Sequence, residues 1–104
     1  MIPFKSIRVG PFDIAIKQLE GEQRDTCLGM FSETTLSIQM REAYATDQQE
    51  AETLLHELLH AIYCVFGVKA ADKEERIISQ MSIGMALVIG ENHELIDWLK
   101  EKLS

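Results

Sequence analysis

Two hydrophobic periods divide the chain. From Phe4 to Met40 apolar and polar residues alternate with a period near two, the signature of half-buried strands. Ile7-Arg8-Val9 precedes a Gly10-Pro11 turn, and Phe12-Asp13-Ile14-Ala15-Ile16-Lys17 continues the alternation. The polar run Glu20 to Thr26 predicts a loop, and Cys27–Phe31 and Thr35–Met40 predict a hairpin around Ser32-Glu33-Thr34. Beyond residue 42 the spacing changes to three and four, as in helices that bury one face. The first helix is expected from Asp47, an N-cap with Glu50 three residues on, to Phe66, with Gly67 as its stop. A second is expected from Asp72, capped in the same way with Glu75, to Ile89 and closed by Gly90, and a third from near Asn92 to Leu103. The predicted class is therefore α+β: one domain over residues 1–104, with a small N-terminal antiparallel sheet (1–42) followed by three helices (43–104).

Within the first helix stands His56-Glu57-Leu58-Leu59-His60, the pattern H-E-x-x-H. Residues four apart share a helix face, so both imidazoles can aim at one point, which is what a zinc ion requires of its first two protein ligands. Glu57 sits where a carboxylate can act as general base on a water held there. Leu54, Leu55, Leu58, Leu59, Ile62, Val65 and Phe66 form a broad apolar stripe on the same helix. His56 and His60 fall beside that stripe and Glu57 beyond them, away from its centre, which suits a cleft better than a core.

A catalytic zinc site takes a third protein ligand and leaves the fourth position to water. Glu75, Glu74 and His93 compete for it. Glu74 is in line with Ile78, Met81, Met85 and Val88, the apolar stripe expected of the second helix. Glu75 heads a track of small and polar residues, Ser79, Ser82 and Ala86, in which Ser79 offers a carboxylate hydrogen-bonding support. Glu75 is the preferred ligand on that ground. Cys64 is not expected to bind, because its Cα is about 12 Å along the helix from that of His56; a small apolar packing role is expected instead. The strand Thr35–Met40 is the expected exposed edge on which an extended peptide could be held. Tyr63, Tyr44 and Arg76 are available to stabilise an oxyanion, with Arg76 also placed to pair with Asp72.

These residues resemble the zincin metallopeptidases of the gluzincin type. The likeness is closest to small bacterial and phage-encoded forms, which pair such a helix with a second one beginning in acidic residues and a short final helix, here Asn92–Leu99. The resemblance covers roughly residues 28–99, and its specific part is the H-E-x-x-H. It implies His56 and His60 as zinc ligands, Glu57 as catalytic base and Glu75 or Glu74 as third ligand. The metzincin extension, with a third His six residues after the second, is absent, since position 66 is Phe. The implied function is zinc-dependent hydrolysis of a peptide or protein substrate. The alternatives are a zinc-holding module that works by binding a partner, and a metal-free interaction protein.

Charge and composition narrow the partners. A net charge of −7 with no Lys/Arg cluster argues against a nucleic-acid partner. No run approaches the roughly 20 apolar residues of a membrane span, and the start lacks a signal-peptide layout, so no membrane partner and a cytoplasmic location are expected. Two cysteines do not make a disulfide framework. The apolar fraction of 46% suits a globular domain, and Met30, Met40, Met81 and Met85 read as packing.

Overall fold

The first turn of the chain explains its first hairpin. Gly10 has φ +59°, a conformation that only glycine adopts without a Cβ penalty, and the Gly10-Pro11 loop joins β1 (Ser6–Val9) to β2 (Phe12–Gln18) with Val9 opposite Phe12. A second hairpin joins β3 (Gly29–Ser32) to β4 (Ser37–Met40). The computed structural model describes residues 2–104, and among them the chain forms one four-stranded sheet and four helices, an α+β fold.

The sheet is mixed, not antiparallel as the sequence suggested. Strand order is β1-β2-β4-β3, and β4 lies parallel to β2 with Ile16 beside Ile38. The connection from β2 to β3, which includes the short helix α1 (Gln23–Thr26) inside the expected loop, is long enough to pass over one strand position. The returning strand then docks beside β2. Burial explains which strand takes the middle: Ser37, Ile38 and Met40 of β4 are buried, whereas every residue of β3 is only half-buried. Thr35–Met40 is therefore an inner strand, and the free edge beside the next helix is β3.

Helix α2 (Asp47–Val65) is capped by Thr46, one residue before the expected Asp47. Thr46 Oγ1 accepts from Gln49 N at 3.0 Å, and Gln49 Oε1 accepts from Ala45 N at 3.0 Å, a reciprocal arrangement that leaves Asp47 within the helix. Glu50 is thereby freed for another partner. It is buried, and its carboxylate lies 3.1 Å from Lys102 Nζ at the far end of α4 (His93–Leu103). Gly67, at φ +68°, follows the helix as expected. Leu54, Leu58, Ala61 and Ile62 bury against Ile7, Ile14, Ile38 and Met40 of the sheet, and Leu95 and Trp98 of α4 close the other side.

Helix α3 (Glu74–Glu91) departs from expectation at both ends. Asp72 is not its cap: the carboxylate accepts from Lys69 N at 2.8 Å and pairs with Arg76 at 2.9 Å. Gly90 does not stop it either, and the helix runs on to Glu91. The crossing of α3 over α2 is made at Gly84, where a Cβ would collide with Ile62 and Phe66. Ile78, expected in the buried stripe, is 50% exposed. No described helix is long and apolar enough to cross a membrane.

Asn92, between α3 and α4, ties the helices to the sheet. Arg8 N donates to Asn92 Oδ1 at 2.8 Å, and Asn92 Nδ2 donates to Arg8 O and Val88 O, both at 2.9 Å. The clamp satisfies backbone groups on the outer edge of β1, which has no strand beyond it. Asn92→Ala leaves three partly buried backbone groups without this partner and is expected to cost about 1–3 kcal/mol in urea unfolding. Asn92→Asp, which can accept but not donate, is expected to lose an intermediate amount. An unfolding midpoint unchanged in both variants would show that water replaces the clamp at no cost.

Candidate functional site

The two histidines of the motif meet. His56 and His60 lie on the exposed side of α2 with their Nε2 atoms 3.2 Å apart and their ring centroids 4.9 Å apart. Two nitrogens bound at about 2.0–2.1 Å to one tetrahedral ion sit about 3.3–3.4 Å from each other. The separation fits two corners of a tetrahedral centre of the kind zinc takes, and equally a single ring N–H···N hydrogen bond between the imidazoles.

Glu57 takes a different place from the one the helical wheel suggested. It is buried, on the sheet-facing side of α2, while Leu59, expected in the apolar stripe, is 44% exposed. The buried arc of the helix is rotated toward Thr53 and Glu57, and the cause is Gly29. A Cβ at Gly29 would lie 2.7 Å from Thr53 Cγ2 and 3.3 Å from both Glu57 Cγ and Gln39 O. Without that side chain, α2 approaches β3 closely enough to put Thr53 and Glu57 under the strand.

Two open grooves share His56. The first, about 330 Å³, is lined by His56, Leu59, His60, Tyr63 and Met81. The second, about 410 Å³, runs past Leu28, Gly29, Glu52, Thr53 and Glu57. The start of β3, which forms one wall of the second, is held from behind. Tyr44 Oη donates to Leu28 O at 2.6 Å and accepts from Arg41 N at 2.8 Å, and Arg41 Nε donates to Cys27 O at 2.8 Å. Burial pushes the Tyr44 hydroxyl above the usual tyrosine range, with the carboxylates of Glu50 and Glu57 adding to the effect. Of the three oxyanion candidates, Tyr44 is thus occupied with the backbone, Arg76 pairs with Asp72, and Tyr63 alone lines a groove beside the histidines.

The preferred third ligand, Glu75, lies exposed in the first turn of α3 together with Glu74, and His93 is exposed at the start of α4. Among the described residues no third His, Cys, Asp or Glu joins the two imidazoles in a preformed group. Cys64 is a free, half-buried thiol. Burial first, then the charge and hydrogen bond of Glu33, raise its pKa above the ordinary thiol value. Sequence reasoning missed Gly29 and Met81. Glycine inside an alternating strand pattern is the signal for close backbone approach, whereas nothing local marked Met81 as a groove residue.

No family model matches the chain, and no similar curated protein or solved structure was found.

Two outcomes test this geometry. Gly29→Ala is expected to destabilise the protein by about 1–3 kcal/mol, because the new methyl must displace Thr53 and Glu57; chemical denaturation that detects no loss would show that β3 can lift away freely. Cys64 favours its neutral form in the folded chain. Its stabilising contribution is complete below the thiol pKa of the unfolded chain and is lost as pH rises through the higher folded value. Alkylation near pH 8 is expected to be slower at Cys64 than at the same residue in urea, and Glu33→Gln is expected to recover part of the difference. Equal rates folded and unfolded would overturn the assignment.

Proposed function

We propose that this protein is a zinc-dependent peptidase of the zincin type, acting on a peptide or protein substrate. The observation that carries the reading is the 3.2 Å separation of His56 Nε2 and His60 Nε2, with Glu57 close by on the same helix. His56 and His60 would hold the ion, with Glu75 as third ligand and Glu74 as its alternative. Zinc bound there supplies Lewis acidity, which makes a water acidic near neutral pH and polarises a carbonyl.

The chain's own residues supply the rest. Glu57 accepts the proton of the attacking water and returns it to the leaving amine. Glu57 is among the residues that line the groove it shares with His56. The free edge of β3 offers backbone groups for an extended substrate strand, in place of the inner strand the sequence suggested. Tyr63, which lines the groove with His60, would donate to a developing oxyanion. A cytoplasmic setting and the absence of nucleic-acid and membrane partners belong to the same reading.

One observation favours a second reading, in which the zinc site serves binding without hydrolysis: Glu75 is exposed and stands outside the histidine pair. Metal analysis and kinetics separate the two. Protein purified without chelator is expected to carry about one zinc per chain, lost in His60→Ala. Glu57→Gln is expected to keep the zinc and lose peptide cleavage roughly 10²- to 10⁴-fold. Retained zinc with no cleavage by the wild type selects the binding module. No zinc after reconstitution sinks both.

A further inference from the structure

The groove of about 410 Å³ that runs past the start of β3 is lined by two carboxylates, Glu52 and Glu57, and by no Lys or Arg among the described residues. Glu57 is 8% exposed, and among the described residues its carboxylate makes no hydrogen bond and no ion pair. Nor is that carboxylate sealed, since Trp98 Nε1 is the only sealed side-chain polar atom without a partner among those residues. A largely buried charge in that state is costly until a donor or cation arrives. Glu52 is exposed and stands about 6 Å, one helical turn, ahead of His56. Its bond from Gln48 Nε2, at 3.2 Å, is to a neutral amide and leaves its charge uncompensated. The chain's paired cations are committed elsewhere: Arg8 to Asp13, Arg76 to Asp72, and Lys102 to Asp47 and Glu50. Arg41 bonds Cys27 O without lining the groove.

The remaining lining has the opposite character. Leu28 is 42% exposed, and Gly29 beside it adds no side chain. An apolar wall that leads to a carboxylate matches a side chain with an apolar stem and a cationic head, which is the build of lysine and arginine.

We propose that this groove receives a lysine or arginine side chain of an extended peptide lying along β3, with the stem on Leu28 and the head on Glu52. Resting on the peptidase reading, this makes the substrate class a peptide with a basic residue close to the bond that is cut. Glu52 is the partner rather than Glu57, because a cation in contact with Glu57 would lower the basicity its reaction requires. Glu57 adds attraction at longer range. The net charge of −7 favours the approach of a basic peptide in the same sense.

NMR titration of the full chain, with chelator and after zinc is added back, tests this. The probes are three end-blocked peptides of threonine and valine that differ only in a central lysine, norleucine or glutamate. The lysine peptide is expected to bind about fivefold more tightly than the norleucine one, with the glutamate peptide weakest and amide shifts at Leu28, Gly29 and Glu52. The advantage of lysine is expected to shrink as salt rises. Glu52→Lys is expected to keep the unfolding midpoint and to reverse the order of the lysine and glutamate peptides. Leu28→Ser is expected to weaken the lysine and norleucine peptides alike. Equal affinity for all three, no shift at millimolar peptide, or a lysine advantage that survives Glu52→Lys overturns the subsite. A lysine advantage with neither zinc nor cleavage keeps the subsite and sinks the peptidase. Cleavage indifferent to the central residue does the reverse.

Discussion

The approach of α2 to β3 at Gly29 is the constraint on which the rest of the structure depends. A strand and a helix normally keep a side chain's width between them. Here that spacer is missing, and Thr53 and Glu57 occupy the space it would fill. The helix is rolled about its axis as a result. Leu54, Leu58 and Ile62 still reach the sheet and fill the core, while Leu59 turns outward and His56 shares a groove with the start of the strand. A single missing methyl thus decides which side of an otherwise ordinary amphipathic helix is left to solvent.

Much of this was legible in the sequence, and the illegible part has physical causes. Period-two alternation located the strands, and the change to helical spacing located α2 and α4 closely, because each pattern reports local burial. Topology was not local. Nothing in Phe31 or Ile38 says which arm of their hairpin will dock beside β2; each arm carries two large apolar residues, and the choice is made by the sheet as a whole. Helix ends were shifted where two capping sets overlapped. Thr46 with Gln49 prevailed over Asp47 with Glu50, because Glu50 is drawn into the interior by Lys102. At the other junction Asn92 took over the role expected of Gly90, since its amide can bond Arg8 and Val88 at once.

The histidine pair was fully legible because its geometry is intrahelical: a spacing of four fixes it wherever the helix lies. A third ligand to the proposed zinc would be harder to read, because it would come from another element whose placement depends on the crossing at Gly84. The sequence could rank Glu75, Glu74 and His93 by their neighbours along one helix, but the distance from that helix to His56 is a tertiary quantity. Met81 was missed for the same reason. It reaches the groove only because α3 crosses α2 without a side chain at Gly84, and no pattern within α3 announces such a crossing.

The bond between Arg8 and Asn92 joins positions 84 residues apart. It has a bearing on how the molecule is made. A nascent chain emerges N-terminus first, so β1 and β2 leave the ribosome with the outer edge of their hairpin bare, and that edge cannot be sealed until Asn92 has been synthesised. Contacts of such long sequence separation close late and slowly. The interval between them is a period in which that edge can pair with a neighbouring chain. For the β1 edge the hazard of mispairing is concentrated at synthesis and falls once residue 92 has emerged.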